Sequence, residues 1–201
     1  MTIPLVKRRA RSRAVAPRIV VAVIGSGRSA DPQAADVGRL IATLGYDLLT
    51  GGGRGVMEAV SRAYFETPER RGIVIGVLPG FVAGLDDVEN RIPAEIGYDL
   101  PSGYPNDWVE LAVYTHLPDS GAEGALASSR NHLNVLSADA IVALPGGEGT
   151  ESEIWLATQY GVPIVAYGDH GSHVPHAIPH VTTLDALRDF LVRSLSSAAS
   201  P

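Results

Sequence analysis

The 201-residue chain has no cysteine, which excludes disulfides and thiolate metal sites. Lys7 is its only lysine and lies among charged residues near the amino terminus, so an internal Schiff base has no anchor and pyridoxal phosphate is not expected as a cofactor. No apolar run reaches the roughly 18 residues needed to span a bilayer. No apolar segment follows the basic start in the manner of a secretory signal. We therefore expect a cytoplasmic protein with no membrane partner. Acids are absent until Asp31, while Lys7, Arg8, Arg9, Arg11, Arg13 and Arg18 crowd the start. Such a like-charge block reads as a flexible basic tail over residues 1–17. Beyond Arg18 there are 22 acids and 10 basic residues, a net charge of −12, which argues against a nucleic-acid partner. Residues 18–201 have the length of a single domain.

What is present is an alternation of short apolar runs with helical patterns. Ile19–Ile24, Tyr46–Thr50, Ile73–Leu78, Val109–Tyr114, Ala140–Leu144 and Pro163–Tyr167 read as strands rich in aliphatic residues. Pro32–Leu44, Gly55–Phe65, Gly124–Ser137, Glu151–Tyr160 and Thr183–Ser196 read as helices, with Gly45 closing the first. Residues 79–107 and 168–180 read as long loops. Continuously apolar strands alternating with helices predict an α/β, Rossmann-like, doubly wound and mostly parallel sheet with helices on both faces. In such sheets ligands sit beyond the carboxyl ends of the strands.

Three glycine loops fall at those ends. Gly25-Ser26-Gly27-Arg28-Ser29-Ala30 fits the loose dinucleotide pattern G-x-G-x-x-A. That pattern also wants an acid after the second strand, and Thr50 followed by three glycines stands there, against ordinary NAD binding. Gly51-Gly52-Gly53-Arg54-Gly55-Val56-Met57 joins a strand to a helix, as a tight turn or as a loop that aims helix N–H groups at an anion. Pro145-Gly146-Gly147-Glu148-Gly149-Thr150 has the same placement, and its amides, the Thr150 hydroxyl and the helix dipole suit a phosphate. Thr150 and Glu153 also fit a capping box, and spacing alone does not separate a capping Glu from a catalytic one. Glu148 and Glu151 add negative charge nearby. His170, His173, His176 and His180 are close in sequence, but Pro175 and Pro179 prevent a helical face of imidazoles, and no metal site is expected.

Gly51–Met57, the step Ser129-Arg130-Asn131 and Pro145–Glu153 resemble the superfamily once labelled "lysine decarboxylase-like". It contains the LONELY GUY phosphoribohydrolases and the molybdenum-cofactor carrier-like proteins. The resemblance runs from about Ile19 to Tyr167. It implies a Rossmann-like fold, a homo-oligomer (dimer or tetramer) and a nucleotide-like phosphate at the motif. By resemblance to the phosphoribohydrolases, Arg130 would orient a substrate and Glu153 would stabilise an oxocarbenium-like transition state or activate water. Those enzymes carry His-Glu before the Arg and Lys after it, where this chain has Ser128-Ser129 and Asn131. Together with Asn106-Asp107 and Asn134, that step is more similar to the cofactor-carrier branch.

The expected ligand contacts are Gly25, Ser26, Gly27, Gly51, Gly52, Gly53, Arg54, Gly55, Met57, Asn131, Pro145, Gly146, Gly147, Gly149 and Thr150. Arg28, Thr115 and His116 are further candidates to face the ligand. The resemblance implies a small phosphorylated ligand, a pterin or nucleoside monophosphate, with molybdenum cofactor as cargo. The alternative is a nucleoside 5′-monophosphate phosphoribohydrolase using Arg130 and Glu153, so the choice between enzyme and carrier stays open. A nucleotide-sensing regulator is a third reading.

Overall fold

In a computed structural model, described for residues 18–83, 97–170 and 178–196, the chain forms a seven-stranded sheet with helices on both faces. The elements are β1 (Val20–Ile24), α1 (Ala34–Thr43), β2 (Asp47–Thr50), α2 (Val56–Phe65), β3 (Val74–Leu78), β4 (Phe81–Ala83), β5 (Gly97–Asp99), β6 (Leu111–Tyr114), α3 (Asn131–Ser137), β7 (Ala140–Ala143), α4 (Glu148–Tyr160), β8 (Ile164–Tyr167), β9 (His180–Val181) and α5 (Leu184–Ser196). The sheet order is β6-β3-β2-β1-β7-β8-β9, and every pairing in it is parallel.

Burial on both faces explains the continuous apolar strands. Val21 and Val23 of β1 join Leu48, Val142 and Val165 against α1, α2 and α5. Their neighbours Ala22 and Ile24 join Leu49, Ile141 and Ile164 against Val135 of α3 and Ile154 and Ala157 of α4. A period of two thus feeds two cores. Gly45, at φ 75°, ends α1 in the left-handed conformation that favours glycine.

Several elements differ from those expected of the sequence. Residues 79–107 are not loop throughout, because β4 and β5 pair antiparallel as a separate ribbon. The helix expected over 124–137 starts only at Asn131. A 3₁₀ turn at Gly121–Glu123 precedes it, and the Ser129 hydroxyl accepts the Asn131 N–H at 3.1 Å, a local side-chain bond that competes with helix. The loop over 168–180 ends in β9, two residues too short for any periodicity to reveal. The proposed tail over 1–17 lies outside the described residues.

Acids tie down the amino ends of the strands. Asp139 accepts the Val20 N–H at 3.0 Å. Asp47 accepts the Ile73 N–H at 2.9 Å and two nitrogens of the Arg18 guanidinium. Glu110 accepts the Val74 N–H and both Arg70 terminal nitrogens, each at 2.9 Å. The Tyr64 hydroxyl, donating to the Tyr46 carbonyl at 2.7 Å, has its pKa pushed up to about 12, first by burial.

Candidate functional site

β1 lies between β2 and β7, so the chain leaves it in one direction and returns beside it in the other. The loops after β1 and β7 diverge at this switch point and open a crevice at the carboxyl ends. A cavity of about 690 Å³ lies there. Its walls include Gly25, Ser26, Gly27 and Arg28 after β1, Gly51 and Met57 around α2, Arg130 and Asn131 at α3, and Gly147, Glu148, Gly149, Thr150 and Glu153 at α4. Four segments far apart in sequence therefore meet. Gly52, Gly53, Arg54, Gly55, Pro145 and Gly146, also expected at the ligand, are not among the lining residues.

The glycine loops play different parts. Gly55 sits at φ 66°, and a Cβ there would run into the Ser26 carbonyl. Its absence lets the first loop close over the start of α2, where the Val56 N–H donates to the Ser26 carbonyl at 2.8 Å. The Ser26 hydroxyl accepts the Arg28 and Ser29 N–H groups at 3.2 Å, and the Ser26 N–H donates to the Pro145 carbonyl at 3.1 Å. The amides at Ser26, Arg28, Ser29 and Val56 are therefore engaged within the protein, which makes this pair of loops chiefly a wall.

α4 is arranged differently. It begins at Glu148, not at Glu151, with Gly147 as N-cap and no side-chain cap. The Thr150 and Glu151 N–H groups turn back to the Gly147 carbonyl at 2.8 and 3.0 Å. The amides before them have no acceptor within the helix and carry the positive end of the dipole of a 13-residue helix. Glu153 is not the capping residue that the Thr150 spacing allowed. It is 8% exposed and accepts the Asn134 side-chain N–H at 3.1 Å.

Arg130 is the main cation of this crevice. It is 5% exposed, and its Nη1 lies 3.9 Å from Glu153 Oε1, too long for a hydrogen bond. Neither Nε nor Nη1 has a hydrogen-bond partner. A Cβ on Gly51 would occupy the space of the guanidinium, so that glycine is what admits Arg130 to the wall. Burial raises the Glu153 pKa above its ordinary 4.5, against the opposing pull of Arg130 and the Asn134 hydrogen bond. A carboxyl that holds its proton more readily, beside a guanidinium with unpaired N–H groups, suits an incoming anion.

The remaining candidates, Glu148 excepted, stand outside the cavity lining. Glu148 is exposed at the cavity wall, whereas Glu151 is exposed and outside the lining. Arg54 packs on Gly103, and the Thr115 hydroxyl donates to the Leu78 carbonyl at 2.8 Å. His116 is exposed and outside the lining. His170 Nε2 meets the Ala143 carbonyl at 3.0 Å and His180 Nε2 the Gly168 carbonyl at 2.6 Å, which ties both imidazoles to loop backbone. His173 and His176 lie outside the described residues. Tyr104, Ser120 and Gly121 line the cavity without having been expected there. For Tyr104 a signal existed: an aromatic held between Gly103 and Pro105 is a ring presented on a turn.

A family model described as the SLOG cluster4 family matches residues 18–190. The molybdenum cofactor binding protein of the phototrophic bacterium Rippkaea orientalis is 25% identical, with a TM-score of 0.61 over 92% of this chain and 99% of that one. The molybdenum cofactor carrier protein of Chlamydomonas reinhardtii is 26% identical, with a TM-score of 0.62 over 90% of this chain and 99% of that one. An uncharacterized protein of Archaeoglobus fulgidus is 28% identical over 144 residues, 70% of this chain and 74% of its own length.

Proposed function

The chain belongs to the SLOG cluster4 family, and from that premise we propose that it binds and carries a phosphorylated pterin of the molybdenum-cofactor type in the crevice between β1 and β7. The observation that carries this reading is Arg130, buried in the cavity wall with Nε and Nη1 unpaired. Buried guanidinium N–H groups without acceptors are destabilising, and an anionic ligand supplies the acceptors. The open amides at the start of α4 add a second donor set on the same cavity. A volume of about 690 Å³ is within the range of small-molecule and cofactor sites. Two solved proteins that are alike over nearly the whole chain are described as binding or carrying molybdenum cofactor.

The test incubates the full chain with molybdenum cofactor released from a molybdoenzyme, then desalts it. Molybdenum and oxidised-pterin fluorescence are expected to travel with the protein. Cofactor that elutes free contradicts the carrier reading.

A second reading rests on Glu153 sharing the cavity with Arg130. In its ionised form, the Glu153 carboxylate beside a bound ribose would stabilise positive charge as an N-glycosidic bond breaks. Incubation with AMP separates the readings. Adenine release that is lost in Glu153→Gln supports the hydrolase. Release that survives places the chemistry elsewhere. Binding of AMP with neither hydrolysis nor cofactor capture fits a nucleotide sensor.

A further inference from the structure

Tyr104 is held over the cavity by a buried clamp that the phosphate-binding groups do not require. Asn106 is 7% exposed. Its N–H donates to the Gly52 carbonyl at 2.7 Å and its side-chain amide donates to the Gly53 carbonyl at 2.8 Å. Its Oδ1 accepts the Trp108 N–H at 3.1 Å. These bonds pin the segment before β6 onto the glycine loop after β2. A Cβ on Gly53 would stand 2.7 Å from Tyr104 Cζ and 2.8 Å from its hydroxyl oxygen, so the ring rests directly on glycine backbone. On the other side of the turn, Gly103 at φ 89° leaves room for the Arg54 side chain, with a Cβ there standing 2.7 Å from Arg54 Nε. Gly53, which does not line the cavity, therefore has a role: it seats an aromatic ring that does.

Arg130, Glu153 and the first turn of α4 supply charge and donors, Arg28 after β1 adds an exposed cation, and Tyr104 is the aromatic ring in the lining. Ser26 and the start of α2 direct their backbone bonds inward, so in that region the backbone offers surface more than donors.

We infer that Tyr104 is the face on which the planar heterocycle of the ligand stacks while its phosphate meets Arg130 and α4. This rests on the reading of the cavity as a phosphorylated-pterin site and adds to it the residue that selects for the flat, π-rich ring over a sugar phosphate or polyol phosphate. An aromatic platform tolerates different rings because each has a π-face, so recognition of purine or pterin edges falls to other groups.

The test measures Kd by calorimetry for ribose 5-phosphate, AMP and a pterin bearing a phosphate monoester, using the full chain and its Tyr104→Ala and Tyr104→Phe variants. Ribose 5-phosphate carries the charge without the ring. The expected result is that Tyr104→Ala weakens the tighter-binding heterocyclic ligand about tenfold, the size of a lost base–aromatic stack. Ribose 5-phosphate changes less than about twofold, and Tyr104→Phe keeps the heterocycle preference. The Phe variant also controls for misfolding, since it retains the ring that fills the space over Gly53. Parallel losses for all ligands in Tyr104→Ala, or no loss for any, overturn the stacking role and leave the phosphate site standing. A wild-type chain that binds none of the three overturns the phosphate site itself and the stacking role with it.

Discussion

At the amino ends of the strands Asp47 is 2% exposed, yet its carboxylate holds the Arg18 guanidinium and the Ile73 N–H. At the carboxyl ends Arg130 is 5% exposed and two of its nitrogens have no partner. The same low-dielectric sheet thus treats buried charge in two ways. Where charge is fully hydrogen-bonded it fastens backbone, with Glu110 and Asp139 doing the same for Val74 and Val20. At Arg130 two donors are left over on a residue that lines the cavity. Unsatisfied buried donors are costly, so a guanidinium left with two of them in a cavity wall marks that end of the sheet as a site.

The comparison breaks first at the scaffold end. Asp47→Ala strands the Ile73 N–H, while the exposed Arg18 guanidinium returns to water. It is expected to lower stability by about 1–3 kcal/mol in urea unfolding, with ligand affinity unchanged. A stability change below about 0.5 kcal/mol would mean that Asp47 fastens nothing.

Glu153→Gln sharpens the other end. The folded-state pKa of Glu153 is raised by burial. The stabilising contribution of its protonated form is therefore complete below the ordinary value of 4.5 and is lost as pH rises through the folded-state value. The amide that replaces the carboxyl stays neutral throughout. The variant is expected to gain stability relative to the wild type as pH rises from 4 to 8, read from paired unfolding curves. A difference that shrinks with rising pH contradicts the assignment.

Gly51→Ala is the smallest perturbation. Its methyl group would displace the end of the Arg130 side chain, which can swing aside at little cost in stability. The expected result is an unfolding midpoint close to that of the wild type and a loss of affinity for ribose 5-phosphate of about fivefold, the scale of one weakened charge-assisted hydrogen bond. Unchanged affinity would show that the position of Arg130 is not critical.

The sheet was readable because β1, β7 and β8 are apolar throughout, as at Val21 to Ile24, and β2 is apolar at Leu48 and Leu49. The crevice was readable in outline, since the glycine loops mark the carboxyl ends of strands. Their division of labour was not. Which amides point into a cavity depends on tertiary partners such as the Ser26 carbonyl taking the Val56 N–H. Glu153 shows the same limit, because a capping residue and a cavity carboxyl share one spacing until Asn134 is brought beside it. Tyr104 was missed because its position depends on the clamp from Asn106 back to Gly52 and Gly53, groups far apart in the sequence.

The most direct measurement is the Kd of ribose 5-phosphate for the wild type and for the double variant Arg130→Met with Glu153→Gln. Removing both charges together avoids stranding either one, so the double variant is expected to unfold no more easily than the wild type. Its affinity is expected to fall about a hundredfold, the loss of a paired charge-assisted contact. A double variant that is folded and binds ribose 5-phosphate as tightly as the wild type would contradict the claim that the unpaired donors at the carboxyl end of the sheet are there for an anion.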